Sequence, residues 1–377
     1  MHLLHPIFLI IFLAMILLFF TEEKLSDSAQ KYSMIFIGIL LVIGAGGRDW
    51  VGADFPVYYR MYFDGFPNFT TYADVWHKAT FQPNSMEIEW LYVLLNKIFY
   101  DLRMPFFMIT MVMIIGSVWL QFSTFRKYSA APMLSLLFYF MPLYFFADCG
   151  QMRQGMGTAI CIFAVRYIIK KDLKTFLIVM FFALGMHKST IVFLPAYWIA
   201  KLPLNRNMWI PILIGSVLLA PFEIYNYFGS FFSALAPQDV SNAFEGYSND
   251  SYYGQEMKSG LGDVINVFWI IFILVFDKKA QEKMPYYEYY RNLALFGYCL
   301  YYIMRGNMIF ATRLPGVYLA YSGYLAIPAI LMSMKNEMKT AMRLGFVTYF
   351  LLFCFAFSKV NAEKGRFTSN TYHNIFW

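Results

Sequence analysis

Two short motifs in this sequence combine residue types that bind phosphate and exchange protons. The string DCGQMRQG at 148–155 carries Arg153, and MHKST at 186–190 carries His187, with an apolar hairpin between them. Arginine presents a fixed fork of donors that suits phosphate oxygens, and histidine takes or gives a proton near neutral pH. The structural alternatives are an arginine paired with lipid headgroups and a histidine that ends a helix. No histidine or carboxylate lies at ligand spacing from His187, so we predict neither a metal site nor a cofactor.

A third polar segment, GGRDWVGADFPVYYRMYFD at 46–64, mixes charged residues with glycines and aromatic rings. Arg48 and Arg60 are candidate phosphate ligands, Asp54 is a candidate base, and Trp50 offers a ring face for a sugar. Glycines let such a segment turn tightly or approach a ligand. The structural alternative is an interfacial loop in which arginines and aspartates pair while Trp50 anchors at the headgroups.

Two more pairs of charged residues complete the candidate site. Arg305 and Arg313 flank a short turn, and Glu87 and Glu89 open the predicted interfacial helix that contains IEWLYVLLN. The arginines could bind phosphate or pair with headgroups, and the glutamates could serve a site or only stabilise a helix N-terminus through its dipole.

The elements that carry these residues must be membrane helices. The chain has 377 residues, of which 59% are hydrophobic and only 14% charged, and its mean hydropathy is +0.50. Soluble domains contain about 25% charged residues, so this composition excludes a soluble globular protein. We therefore predict an all-α polytopic protein, a single integral membrane domain over residues 1–377.

The apolar blocks predict about twelve transmembrane helices. Their expected bounds are Pro6–Phe20, Tyr32–Gly46, Pro105–Phe122, Ala130–Ala147, Gly155–Ile169, Thr175–Met186, Ser189–Ala200, Asn207–Pro221, Asp263–Phe276, Asn292–Met304, Leu314–Ser333 and Arg343–Ser358. The segment Ile88–Leu102 is too polar and short to span comfortably, so we predict an amphipathic helix at the interface.

The distribution of Lys and Arg predicts which side each connection faces. One set of short breaks is strongly basic, whereas the opposite set, which includes the loops 47–104 and 222–262, is not. The positive-inside rule therefore makes these two loops extracytoplasmic. All the candidate residues then lie at one outer face, whereas a transporter would favour a polar cavity at the bilayer midplane.

At these residues the chain resembles the EpsG-like branch of the Wzy-type bacterial polysaccharide polymerases. The resemblance rests on RDWVGADFPVYY, on IEWLYVLLN, on the block from MRQGMGTAICIFAVRYIIKK to ALGMHKSTIVFLPAYW, and on TRLPGVYLAY. The family usually shows a Gly-Thr-Asp-Tyr-like string where this chain has Gly52, Ala53, Asp54 and Phe55. The aspartate is kept, but hydrogen bonds from the usual Thr and Tyr are lost.

The resemblance implies polymerisation of undecaprenyl-diphosphate-linked oligosaccharide units for O-antigen, capsule or exopolysaccharide at the outer face of the bacterial inner membrane. The expected partners are that lipid-linked oligosaccharide, the bilayer and, as a candidate, a chain-length regulator; no nucleic acid is expected.

As a mechanistic hypothesis, the growing chain on its lipid diphosphate is the donor and a new lipid-linked unit is the acceptor. Arg153 and Arg313 bind the donor diphosphate, and Arg48 or Arg305 binds the donor or the acceptor lipid. His187 is the first candidate for the base and Asp54 the second.

Three other functions remain open at this point. One is an O-antigen ligase, and another is a flippase for lipid-linked oligosaccharides. The third is a metal-dependent membrane glycosyltransferase that would use Asp49, Asp54, Glu87 or Glu89 with a divalent ion.

Overall fold

The protein is an all-α molecule over the part of the chain that can be described. A computed structural model describes residues 3–65, 71–80, 88–223, 255–360, 362 and 364–377. These residues contain no β-strand, only the isolated bridges Leu4–Thr368 and Arg48–Asn374. The prediction of an all-α protein is therefore confirmed for the described residues.

The helices of the first half of the chain are numbered in order. They are α1 (Pro6–Thr21), α2 (Asp27–Gly46), α3 (Phe55–Arg60), α4 (Tyr72–Thr80), α5 (Trp90–Asp101), α6 (Phe107–Tyr128), α7 (Pro132–Phe138), α8 (Met152–Ile169) and α9 (Leu173–Met186). Wide turns of π-helix, Met61–Gly65 and Tyr139–Asp148, continue α3 and α7. A 3-10 turn, Lys188–Phe193, follows α9.

The helices of the second half follow the same numbering. They are α10 (Ala196–Ile199), α11 (Arg206–Leu219), α12 (Leu261–Lys283), α13 (Tyr287–Ile303), α14 (Met308–Arg313), α15 (Gly316–Tyr321), α16 (Ile327–Ser333) and α17 (Asn336–Val360). A wide turn, Ser322–Ala326, joins α15 to α16.

Several of these helices are suited to a membrane. Within the described residues, five stretches are long and apolar enough to cross it: Pro6–Lys24, Asp27–Gly46, Phe107–Tyr128, Met308–Ser333 and Asn336–Val360. Three apolar helices are shorter: Pro132–Asp148, Leu173–Met186 and Arg206–Phe222. The chain is thus a helical protein with several membrane-type helices, while the full set of twelve spans remains a prediction.

One predicted helix is present in the structure, and one predicted span is not a single helix. The helix predicted over Ile88–Leu102 is present as α5, with Glu89 at its N-cap. The span predicted over Ser189–Ala200 is not one helix but the 3-10 turn Lys188–Phe193 followed by the four residues of α10. Pro195 interrupts the segment, because proline has no backbone N–H to donate.

Small residues let the helices around α8 and α9 approach closely. A Cβ added to Gly185 on α9 would lie 2.6 Å from the ring of Trp90, so the first turn of α5 packs into this gap. A Cβ on Gly157 of α8 would lie 2.8 Å from Thr190. Close backbone approach through small residues is the usual basis of helix packing in membranes. These contacts hold α5, α8 and α9 together at one end.

A separate buried ion pair joins the helices near the predicted cytoplasmic side. Arg291 on α13 contacts both carboxylate oxygens of Asp277 on α12, at 3.0 and 3.2 Å, and also donates to the carbonyl of Leu204. Trp209 on α11 donates to Asn292 at 3.1 Å. This network pins α11, α12 and α13 together, which gives Arg291 a structural role in the fold.

Candidate active site

The centre of the candidate site is a buried ion pair between Arg153 and Glu89. Nη1 of Arg153 lies 2.6 Å from Oε2 of Glu89, and the two side chains are only 18% and 8% exposed. The second carboxylate oxygen of Glu89 accepts the backbone N–H of Lys188 at 2.9 Å. One carboxylate thus ties the start of α8 and the turn after α9 to the start of α5.

Two tyrosine rings enclose the guanidinium of Arg153. Its central carbon lies 5.6 Å from the ring of Tyr58 and 5.7 Å from the ring of Tyr92, within the range of cation–π attraction. The Nε–H of Arg153 is buried and has no hydrogen-bond partner among the described residues. The arginine is therefore held in place with part of its donor capacity unused.

Glu89 is ionised in this environment. Burial opposes its ionisation, but chiefly the charge of Arg153, together with the N–H of Lys188, outweighs burial, so the pKa of Glu89 lies below its usual value. A buried carboxylate with a cation beside it remains negative at neutral pH.

His187 lies at the C-cap of α9 with its ring half-buried. Its Nδ1 accepts the backbone N–H of Ser189 at 3.2 Å and lies 2.7 Å from the Ser189 hydroxyl. Burial lowers the pKa of His187 to about 4; Glu89 opposes this shift, while Arg153 and Arg313 add to it. The imidazole is therefore neutral at pH 7. Because Nδ1 accepts a hydrogen bond, the ring hydrogen resides on Nε2, which can only donate.

Asp54 stands directly before α3 and faces the same cluster. Burial raises the pKa of its carboxyl group, while Arg313, Arg153 and the Tyr58 hydroxyl act in the opposite direction. Asp54 is therefore a stronger base than an ordinary carboxylate and lies within electrostatic range of two arginines. Gln154 links the cluster to α14, since its side-chain amide donates to the carbonyl of Arg313 at 3.4 Å.

The loop before Asp54 depends on one glycine. Gly52 has a φ of +98°, and a Cβ at this position would overlap the carbonyl oxygen of Cys149. Only glycine meets both conditions without strain. Gly52 therefore lets the loop lie directly against the segment that leads into α8 and Arg153.

A C-terminal segment, residues 364–377, fastens the same loop and was missed by the sequence analysis. The N–H of Gly52 donates to the carbonyl of Gly365 at 3.2 Å, and that of Asp49 to the carbonyl of His373 at 3.0 Å. The buried Asn374 side chain donates to the carbonyl of Ile43 at 3.0 Å. The sequence offers one hint, because the distribution of Lys and Arg assigns the tail after Ser358 to the same side as the loop 47–104.

The remaining predicted site residues lie apart from this cluster. Arg48 is 1% exposed and donates to the carbonyl of Ala45. Arg305 pairs with Asp263 and donates to Met257, so it fastens the end of the loop 222–262. Arg60 and Trp50 lie exposed near α3. Glu87 lies outside the described residues.

No group of three or more His, Cys, Asp or Glu side chains that could hold a metal ion occurs among the residues the structure describes. The carboxylates of the cluster, Glu89 and Asp54, are instead accompanied by arginines. Anionic groups are the ligands that this arrangement suits.

The fold and this cluster define a class: a helical membrane protein with buried arginines and carboxylates at its helix ends. The family model described as the EpsG family matches residues 31–373, which is nearly the whole chain. The chain therefore belongs to the EpsG family, and the resemblance seen in the sequence is confirmed. No curated protein and no solved structure matches it. Membership of this family indicates a polysaccharide-polymerase role.

Proposed function

We propose that the protein joins undecaprenyl-diphosphate-linked oligosaccharide units into a surface polysaccharide at the outer face of the bacterial inner membrane. The observation that carries this proposal is the Arg153–Glu89 ion pair, with His187, Asp54 and the charge of Arg313 within electrostatic range. The family indicates a polysaccharide product. The cluster offers groups that can stabilise the negative charge on the leaving diphosphate and accept the proton of the attacking hydroxyl.

The reaction transfers the growing chain from its lipid carrier to a new unit. A hydroxyl oxygen of the acceptor attacks the anomeric carbon of the donor sugar, and the bond from that carbon to the diphosphate oxygen breaks. The electron pair of that bond leaves with the lipid diphosphate, and the hydroxyl proton passes to a base. The protein must therefore stabilise a growing negative charge and accept one proton.

Arg153 and Arg313 are the proposed partners of the leaving diphosphate. Arg153 is fixed by Glu89 and by two rings, so it needs little rearrangement to stabilise charge as it develops. Its unused Nε–H gives it a donor beyond those that Glu89 occupies. Loss of one such preorganised donor reduces a rate by about 100- to 1,000-fold.

Asp54 is the proposed base, in place of His187. A neutral His187 with a pKa near 4, whose Nδ1 already accepts a hydrogen bond, is a poor proton acceptor. Asp54 has a pKa raised by burial and lies within electrostatic range of both arginines. Its distance to an acceptor hydroxyl depends on the substrate, but its basicity suits the task. His187 then serves as a donor through Nε2, either to the diphosphate or to a sugar hydroxyl.

The other candidate residues receive supporting roles. Arg48 is buried beneath the loop, and Arg305 joins the end of the loop 222–262 to α12 through Met257 and Asp263, so both hold the surroundings of the site. Arg60 and Trp50 are exposed beside α3 and can meet the acceptor lipid or its sugars.

The proposal is tested by the surface polysaccharide of cells that lack this chain and carry a plasmid copy of wild type, Arg153→Lys or Asp54→Asn. Wild type should restore a polymer ladder on a gel, and both variants should leave single repeat units while the protein remains in the membrane. Arg126→Lys, exposed at the end of α6, is a matched control for loss of the arginine fork. Long polymer on its lipid in cells without the chain would overturn the proposal and favour a ligase.

A further inference from the structure

An open cavity lies at the far end of α5 from the Arg153–Glu89 pair. Its volume is about 450 Å³, within the usual range for small-molecule sites. Three aromatic rings and two charged side chains dominate its lining, which consists of Tyr62, Phe63, Tyr100, Asp101, Arg103 and Met104. Aromatic faces with charged groups at their edge are the combination that fits a sugar ring, which has apolar C–H faces and a rim of hydroxyls.

Two elements connect this cavity to the candidate active site. α5 begins after Glu89 and ends at Asp101, so its 12 residues separate the two places by about 18 Å at 1.5 Å per residue. α3 and the wide turn after it run alongside. The rings of Tyr58 and Tyr92 are 5.8 Å apart near the ion pair, and those of Tyr62 and Tyr100 are 5.8 Å apart at the cavity.

The cavity is built before any ligand arrives. The hydroxyl of Tyr62 donates to the carbonyl of Met104 at 2.5 Å, which fixes the ring as one wall. Lys97 holds the carboxylate of Asp101 at 2.6 Å. Arg103 is exposed and makes no ion pair with any residue that the structure describes, so its guanidinium remains open to a ligand.

The backbone of Arg103 provides a second, independent observation. α5 ends in a Schellman cap, in which the N–H of Met104 donates to Phe99 at 3.0 Å and that of Arg103 to Tyr100 at 2.9 Å. Arg103 occupies the left-handed position with a φ of 55°, where glycine is the usual residue. A side chain kept where the fold prefers none is a candidate for a role outside the fold.

We infer that this cavity is a saccharide subsite. It holds the sugar chain of a lipid-linked substrate, several sugar units away from the bond that reacts. The inference rests on the proposed function, since it takes the reaction to occur at Arg153 and Asp54. In this subsite the rings of Tyr100 and Phe63 contact the sugar faces, and Arg103 donates to hydroxyl or acidic groups at the sugar edge.

The helix cap at Arg103 allows a substitution that tests the subsite without destabilising the fold. Arg103→Gly removes the side chain and places the residue that the left-handed position favours, so thermal stability should be equal or higher. Lys171→Gly is the matched control. It lies in the same kind of cap at the end of α8, with a φ of 57° and with the N–H of Asp172 donating to Tyr167 at 2.9 Å.

Binding is measured on the purified full-length protein in nanodiscs, with oligosaccharide repeat units cleaved from the cells' own polysaccharide and freed of lipid. We expect Arg103→Gly to weaken this binding by about 10- to 100-fold, the usual effect of losing a charged hydrogen bond, and Lys171→Gly to leave it unchanged. Polymers made by Arg103→Gly should also be shorter.

Two outcomes overturn the inference. One is oligosaccharide binding by Arg103→Gly within about twofold of wild type. The other is displacement of the oligosaccharide by short-chain phosphatidylglycerol in the wild type but not in Arg103→Gly, which would make Arg103 a headgroup ligand. Because the assay involves no turnover, wild-type protein that binds the sugar but makes no polymer would refute the polymerase proposal and leave the subsite standing.

Discussion

Replacing Glu89 by Gln removes one negative charge and keeps the size of the side chain. In the folded protein this carboxylate contacts Arg153 at 2.6 Å and the N–H of Lys188 at 2.9 Å. The amide of Gln can still accept one of these hydrogen bonds, but it cannot balance the charge of a guanidinium that is only 18% exposed. The perturbation therefore tests whether the charge of Glu89 holds the cluster together.

The expected loss of stability follows from the burial of the pair. Removing one partner of a fully buried ion pair costs about 3–5 kcal/mol, and losing one charged hydrogen bond costs about 1.5–3 kcal/mol. The pair is mostly but not completely buried, so we expect Glu89→Gln to reduce the free energy of unfolding by about 2–4 kcal/mol. Misplacement of Arg153 should also reduce polymer formation, by about 10- to 100-fold.

The measurement is reversible unfolding of the purified protein in mixed micelles, followed by tryptophan fluorescence. Glu23→Gln is the control, because Glu23 also contacts two cations, Arg343 and Lys339, but is 38% exposed. Such exposed pairs contribute about 0–1 kcal/mol. Equal, small losses in both variants would refute the reasoning that Glu89 is a buried anchor of the site.

Three further predictions concern the same site. Because burial raises the pKa of Asp54, polymerisation should fall with decreasing pH before an ordinary carboxylate would titrate, and a rate that stays flat down to pH 4 would remove Asp54 as the base. His187 takes up its proton only near pH 4 when folded but near pH 6.5 when unfolded. The wild type should therefore lose up to about 3 kcal/mol of stability as the pH falls from 6.5 to 4. The same loss in His187→Asn would contradict this assignment. Gly52→Ala should abolish polymer through a displaced loop, whereas Gly345→Ala, where a Cβ meets nothing within 4 Å, should not; equal activity of both variants would show that the Gly52 loop tolerates displacement.

The sequence could predict that Arg153 and His187 lie near each other because their positions depend on local connectivity. Two apolar blocks separated by a short basic break must form antiparallel neighbours, so the start of α8 and the end of α9 lie at the same end. The helix α5 could be predicted equally well, since its apolar residues repeat with a helical period.

Glu89 as the partner of Arg153 could not be predicted in the same way. The two residues are 64 positions apart, and their contact depends on how Trp90 packs against Gly185, which is a property of tertiary packing. From the sequence, the helix dipole alone was a sufficient explanation for an acidic residue at that position. The attachment of the C-terminal segment to the Gly52 loop likewise depends on long-range backbone hydrogen bonds, which leave no periodic pattern.

The segment Ser189–Ala200 shows the limit of reading spans from hydrophobicity. Its residues are apolar, but 12 of them make a helix of only about 18 Å, well short of a hydrocarbon core of about 30 Å. The protein uses the segment as a 3-10 turn and a short helix, and Thr190 packs against Gly157. This irregular stretch is what presents the N–H of Lys188 to Glu89.

The most direct test of the central claim is polymerisation by the purified full-length protein in nanodiscs, supplied only with lipid-linked repeat units. We predict a polymer ladder, with one free lipid diphosphate released for each new linkage, and neither product from Asp54→Asn or Arg153→Lys. Failure of wild type to form any linkage, or polymer from both variants at the wild-type rate, would contradict the assignment of polymerisation to this cluster.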